Sequence, residues 1–328
     1  MKRREFLGSA ALALAAGRAG GAAEPGRLRA VRDGGVLRVL DGEHPVLEYR
    51  HAPTAGPEGT GPLFTRSGYV HPLHAPNGAK VTDDFPADHP HQRGLFFAWT
   101  KTELTLDGTV FHPDFWNLGS GTGRIRSVHC GVREAPAGGC RWSSEHAWEA
   151  KVGDDWKQVL HETWSASVLP PLFAEGERDA ASSAYVFDLV CIQEPKVDLL
   201  LPQYRYGGIS IRGAREWIPG NSGMRYLTSE GKTLKDAEGS TARWIDMAGP
   251  LGGKTAGVAL LEHPENLRAP NQLRVPPENP YYVYSPSKSG DLTLRAGEAH
   301  RFRYRVVVHN GSTDSELLNR LWRELAGA

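Results

Sequence analysis

Short apolar runs, roughly five to eight residues long, recur along most of the chain between glycines, prolines and Asn/Asp turns. Such runs are "GVLRVLDG" (35–42), "LFFAWTKTELTLDG" (95–108), "QVLHETWSASVL" (158–169), "SAYVFDLVCIQ" (183–193), "GGISIRG" (207–213), "TAGVALLEH" (255–263) and "HRFRYRVVVHNG" (300–311). Strands that succeed one another without helices between them pair antiparallel, so the pattern predicts an all-β sandwich or barrel. Helical spacing is convincing only in "STDSELLNRLWREL" (312–325). There Leu317, Leu318, Leu321, Trp322 and Leu325 share a face, and Ser312 or Asp314 can cap the start. No repeat, low-complexity tract or linker interrupts the pattern. Residues 24–328 are expected to form a single β-sandwich domain of two large packed antiparallel sheets with a C-terminal helix.

Polar residues that fall on apolar faces are the candidate chemistry. In "LHETWSASV", Leu160, Glu162, Trp164, Ala166 and Val168 share one face, so Glu162 points with the apolar set. A carboxylate there is costly unless it is paired or used. Asp188, among Val186, Val190 and Ile192, reads as a structural carboxylate held by an arginine or a backbone N–H. In "GGISIRG", Ile209 and Ile211 face one way and Ser210 and Arg212 the other, so Arg212 either meets a ligand or pairs with a carboxylate. Its glycines lack the spacing of a nucleotide fingerprint. "LLEHPENLRAP" (260–270) leaves a strand for a proline-bounded loop and sets His263, Asn266 and Arg268 at a strand end, where sites are commonly built.

"HPHQRG" (89–94) stands at the mouth of the apolar "LFFAW". In an extended segment His89, His91 and Arg93 point the same way. Two imidazoles and a guanidinium make a poor core and a good platform for a polyol or an anion. A divalent metal is the alternative, with His89, His91 and a carboxylate from Asp83, Asp84 or Asp88.

Composition narrows the partners. The chain has 328 residues with 38 basic and 38 acidic side chains, which argues against a nucleic-acid binder. No apolar segment is long enough to span a bilayer. The start, "MKRREFLGSAALALAAGRAGGAA", has Arg3-Arg4 ahead of Phe6-Leu7 and a weak Ala/Leu run. Residues 1–23 therefore read as a twin-arginine signal, with the twin-arginine machinery as a partner and a periplasmic or secreted destination. Of three cysteines, Cys130 and Cys140 flank a hairpin loop and are candidates for pairing, while Cys191 reads as a buried thiol.

"SGYVHPLHAPNGAKVTDDFPADHPHQRGLFFAW" (67–99), "FWNLG" (115–119), "YGGISIRGAREW" (206–217), "LLEHPENLRAP" and "YRVVVHNG" (304–311) together resemble the PmoA-like family of exported bacterial proteins, over roughly Arg50 to Gly311. The methane-oxygenase activity in that name does not suit a chain without membrane-spanning segments. A looser likeness, in "FHPDFWNLG" with His112, Phe115, Trp116, Asn117 and Leu118, is to galactose mutarotase-like proteins. Pro113 and Asp114 depart from that pattern, so no catalytic role is carried to His112. This resemblance implies a large antiparallel supersandwich that binds a sugar or oligosaccharide in a shallow cleft. The resulting expectation is a carbohydrate-active enzyme of epimerase, lyase or hydrolase type. His91 and Glu162 are its expected acid/base pair. His89, Arg93, Asn117, Arg212, His263, Asn266 and Arg268 are expected to bind substrate, with Trp116 stacking on the sugar. No cofactor is expected. The rival readings are a non-catalytic periplasmic sugar-binding protein and a metal-dependent hydrolase using His89 and His91.

Overall fold

The computed structural model describes residues 28–328 except 134, 136–137, 174–182, 221 and 328; the expected signal segment lies outside them. The described residues form two eight-stranded sheets and two small two-stranded ones, every pairing antiparallel. The first large sheet runs, edge to edge, through Leu28–Asp33, Val36–Asp41, His44–Arg50, Tyr69–Leu73, Leu95–Ala98, Gly208–Arg212, Tyr281–Ser285 and Gln272–Arg274. The second runs through Arg225–Thr228, Trp244–Leu251, Lys254–Glu262, His300–Asn310, Ala184–Pro195, Asp155–Val168, Cys140–Val152 and Gly123–Arg133. This is the all-β sandwich of two large antiparallel sheets that the alternation predicts, with the C-terminal helix in place.

Period-two alternation sorts each strand between two environments. From the first sheet Leu95, Phe97, Ile209, Ile211, Tyr282 and Tyr284 point inward and meet Trp148, Leu160, Trp164, Phe302 and Val306 from the second. Each such side chain contributes about 1.5–3 kcal/mol by leaving water. Two tyrosines tie the layers through polar ends: Tyr282 donates to the Val258 carbonyl at 2.9 Å and Tyr284 to that of Ala242 at 3.1 Å.

The outer faces are covered differently. On the second sheet Val186, Trp244, Ala259, Leu261 and Val307 lie under Leu318 and Leu321 of the helix Ser315–Ala326. Asp314 caps that helix, accepting from the Glu316 and Leu317 N–H groups at 3.0 Å, so of the two caps considered Asp314 serves. Arg305 clamps the far end: it holds Asp188 at 2.6 and 2.9 Å and donates to the Leu321 carbonyl at 3.0 Å. Asp188 thus has the structural role read from its place in the strand. On the first sheet the outer face carries Tyr69, Phe96, Ala98, Tyr281 and Val283, with Trp116 and Tyr206 laid over them.

Cys130, Cys140 and Cys191 are buried free thiols. The hairpin register sets Cys130 opposite Ser144 and Cys140 opposite Val168, so the pairing considered for Cys130 and Cys140 is not made. Among the described residues no helix is long and apolar enough to cross a membrane.

Candidate functional site

The segment "HPHQRG" is not extended. Successive turns close it: the His89 N–H donates to the Pro86 carbonyl at 3.0 Å and the Gln92 N–H to the His89 carbonyl at 2.9 Å. Turning still brings the two imidazoles together, edge to face, with ring centroids 5.6 Å apart. Asp88 approaches His89 Nδ1 at 2.9 Å. The same turning sends Arg93 the other way. Its guanidinium is fully buried, stacks 3.5 Å from the Phe85 ring centre, and donates to the carbonyls of Pro90, Gln92 and Phe64, with Asp84 beside it at 3.4 Å. Arg93 therefore fastens the turn instead of lining a floor with the histidines. Gly94 lets the chain pass from turn to strand, because a Cβ there would sit 2.3 Å from the Val70 carbonyl oxygen.

The residue that joins the histidines is Gln92. It is buried and accepts from Arg212 Nη1 at 2.8 Å; Arg212 Nη2 lies 3.9 Å from Asp88. Arg212 stands at the end of Gly208–Arg212, opposite Tyr281 in register and on the outer face. Its Nε is buried without a hydrogen-bond partner among the described residues. Burial lowers its pKa, and Asp88 and Asp83 oppose that shift. His91 lies within electrostatic reach of His89, Arg93, Arg212 and Asp114. Burial, aided by the neighbouring His89 and Arg93, pushes its pKa down to about 4, so the ring is neutral at pH 7.

Asp114 anchors the other wall. Its carboxylate accepts from the Trp116 and Asn117 N–H groups at 3.0 and 2.8 Å, from Thr100 at 3.1 Å and from Asn117 Nδ2 at 2.9 Å. Asn117 in turn accepts from the Tyr206 hydroxyl at 3.4 Å. Trp116 is buried between Phe96 and Tyr206, with ring centres 4.8 and 5.0 Å away. It has no free face for a sugar; half-buried Tyr206, which covers it, does.

Glu162 is elsewhere. It points into the sandwich, as its parity requires, and is 1% exposed. It accepts from Gln193 Nε2 at 2.8 Å and from Trp148 Nε1 at 3.1 Å, with His146 Nδ1 at 2.8 Å. Tyr49 continues the chain at 2.6 Å from His146 Nε2. Burial alone would raise the Glu162 pKa, but His146 and Gln193 outweigh it and hold the carboxylate below its ordinary value. With the core between it and the outer face, Glu162 cannot serve as the counterpart of His91.

The 260–270 loop also lies apart. His263 Nδ1 accepts from the Glu265 N–H at 3.0 Å, and the Asn266 side chain bonds both the N–H and the carbonyl of Arg303. Arg268 caps the carbonyls of Pro286, Gly290 and Asp291. Those carbonyls follow the C-terminal end of Tyr281–Ser285, whereas Arg212 pairs with Tyr281 at its start. His263, Asn266 and Arg268 thus hold the opposite end of the sandwich.

The carboxylates considered for a metal are divided. Asp83 takes Arg215 at 2.9 and 3.2 Å, Asp84 takes Tyr69 at 2.9 Å, and Asp88 faces His89. Among the described residues no three His, Cys, Asp or Glu side chains converge as a metal site would require.

A family described as one of unknown function, DUF6807, matches residues 37–323. The chain belongs to the DUF6807 family. None of the curated proteins matches this DUF6807 chain in sequence. Among solved structures it is similar to a protein of Klebsiella pneumoniae subsp. pneumoniae MGH 78578 assigned as an aldose 1-epimerase. That likeness has 11% identity and a TM-score of 0.34, covering 90% of this chain and 81% of the other. It is also similar to a protein from the human microbiome assigned as a kojibiose phosphorylase, with 10% identity and a TM-score of 0.26 over 72% of this chain. An α-galactosidase from Lactobacillus brevis shows 8% identity and a TM-score of 0.31 over 92% of this chain. The DUF6807 chain spans only 29% and 42% of the lengths of these last two.

In this DUF6807 protein the outer face of the first sheet brings together His89, His91, Arg212, Trp116 and Asn117 of the expected set. It adds Gln92, Asp114, Tyr206 and Tyr281. Asp114 was legible in principle: "DFWN" presents an aspartate to the N–H groups two and three residues on, the pattern of a local carboxylate turn. Gln92 and Tyr206 had no signal, since their value comes from partners distant in sequence.

Proposed function

We propose that this chain is an exported carbohydrate-active enzyme that binds a sugar or glycoside on the outer face of its first sheet and acts on it by acid/base chemistry. The observation that carries this reading is the convergence of neutral His91 with Arg212, Gln92 and His89 beside the aromatic surface of Tyr206 and Tyr281. A sugar ring offers just what such a face binds: apolar C–H groups for the aromatic wall and paired hydroxyls for a guanidinium and an amide. The unpartnered Arg212 Nε is a donor waiting for an oxygen. His91, unprotonated at neutral pH, takes the proton from the reacting group, and the Asp114 carboxylate favours the imidazolium that results. His89 and Arg212 orient the hydroxyls.

A second reading, a non-catalytic sugar-binding protein, is favoured by one detail. Asp114 already accepts four hydrogen bonds, which leaves it little capacity to exchange a proton itself. Proton NMR of the mature protein with monosaccharides and uronic acids separates the two. Turnover of a sugar, lost in His91→Ala while the melting temperature stays within a few degrees, supports the enzyme. Saturable binding without turnover supports the binding protein. Full turnover in His91→Ala removes the acid/base role.

A further inference from the structure

A second cavity, of about 270 Å3, is lined by none of His89, His91, Gln92, Arg212 and Tyr206. It lies between the 62–67 segment, the short turn Leu118–Ser120 and the strand Gly123–Arg133. Its wall is largely apolar, from Pro53, Pro62, Leu63, Leu118 and Ile125, with Trp156 at the rim. Arg66 lines it and is 2% exposed. The Arg66 guanidinium makes one hydrogen bond, from Nη2 to the Phe97 carbonyl at 2.6 Å, and its ring neighbour is Phe96, 5.3 Å away. Nε and Nη1 are buried with no hydrogen-bond partner among the described residues.

Two donors of a buried cation left unpaired are rare and costly, and native structures normally give them an acceptor. Glu162 is within electrostatic reach, but its oxygens are already taken by His146, Trp148 and Gln193. Burial, together with Arg93, lowers the Arg66 pKa to about 9, which still leaves it charged at pH 7. The rim adds positive charge. Arg124 and Arg126 share the single carboxylate of Glu149 at 2.6 and 2.7 Å, and Arg124 stacks on Trp156 at 4.2 Å.

We propose that this cavity binds the carboxylate of a small, partly apolar organic acid, with Arg66 receiving the carboxylate and Trp156 covering the apolar body. Each unpaired N–H of a buried guanidinium is a charge-assisted donor for a carboxylate oxygen. The apolar walls exclude water and select against fully hydrated inorganic anions. Neither His91 nor Arg212 lines it.

The test is calorimetric titration of the mature protein with benzoate and, as its uncharged counterpart, benzamide. Saturable benzoate binding is expected, at least tenfold tighter than benzamide. Trp156→Ala, a change at the half-buried rim, should weaken benzoate severalfold, and Arg66→Gln should abolish its preference over benzamide. Equal affinity for the two probes, or no benzoate binding at 10 mM or below (about the weak end for a small ligand), overturns the proposal. So does unaltered benzoate affinity in a folded Arg66→Gln protein. Should Arg66→Gln fail to fold, unaltered affinity in Trp156→Ala overturns it alone.

Discussion

Replacing Glu162 by glutamine tests whether the buried carboxylate is a structural hub. The substitution keeps size and shape and changes one oxygen to an NH2 group. The two carboxylate oxygens now accept from Gln193 on one side and from His146 and Trp148 on the other. A glutamine can turn its oxygen to only one side. With the oxygen toward Trp148, its NH2 meets that of Gln193. Flipping Gln193 moves the conflict on, because Gln193 Oε1 already accepts from Trp99 Nε1 at 2.8 Å. Turned the other way, the NH2 meets the Trp148 N–H. Every arrangement leaves one buried donor without an acceptor, a penalty of about 1–3 kcal/mol. Taking about 2 kcal/mol, the melting temperature should fall by roughly 4–8 °C on the scale for large domains. Differential scanning calorimetry at pH 7 measures this, alongside sugar turnover. The pH dependence adds a sign. The folded pKa is held below its ordinary 4.5, so the stabilisation is present above that pH and is lost as pH falls through the folded value. The gap between wild type and variant should therefore narrow below about pH 4.5. A melting temperature within 1 °C of wild type, or activity lost at unchanged stability, would refute the structural assignment.

Other expectations follow from the same contacts. Activity that depends on neutral His91 should stay level from pH 8 to about 5 and fall toward its pKa of about 4, as a pH–rate profile will report; a fall centred near 6.5 would contradict its burial. His89→Ala should raise KM more than it lowers kcat, because His89 is assigned to binding; an unchanged KM with a reduced kcat would reverse the roles of the two histidines. Arg305→Met leaves Asp188 and the Leu321 carbonyl unpaired and should cost about 2 kcal/mol, with faster amide exchange in the C-terminal helix; equal exchange rates would mean that the apolar contacts alone dock it. Arg3→Lys with Arg4→Lys should leave precursor in the cytoplasm, read by immunoblot of cell fractions, and normal export would remove the twin-arginine assignment.

Period-two alternation is a local property, and what depended on it alone was legible. It gave the strands, the inward aim of Glu162 and the outward aim of Arg212. Partners were not legible, because they depend on register between strands. His146 meets Glu162 only because the Cys140–Val152 and Asp155–Val168 strands slip by one residue between Gln158 and Leu160. The 89–94 stretch misled for a different reason. Pro86 and Pro90 favour turns, and treating the segment as extended put Arg93 with the histidines when the turn buries it. Arg212 and the 263–268 loop both stand at strand ends, which does not say whether the ends are the same. Which end each occupies is fixed only by the crossing order of the sheets.

That crossing order has a consequence during synthesis. The strand Leu95–Ala98, all four residues buried in the finished sheet, pairs on one side with Tyr69–Leu73 and on the other with Gly208–Arg212. Its second partner is about 110 residues away and comes off the ribosome roughly 6–22 s later at ordinary elongation rates. Through that interval Leu-Phe-Phe-Ala presents an unpaired apolar edge, the kind most prone to join another chain. The nascent protein thus depends on whatever shields this short segment until translation reaches residue 212, and slowing elongation between the two strands should increase aggregation where slowing it after residue 285 does not.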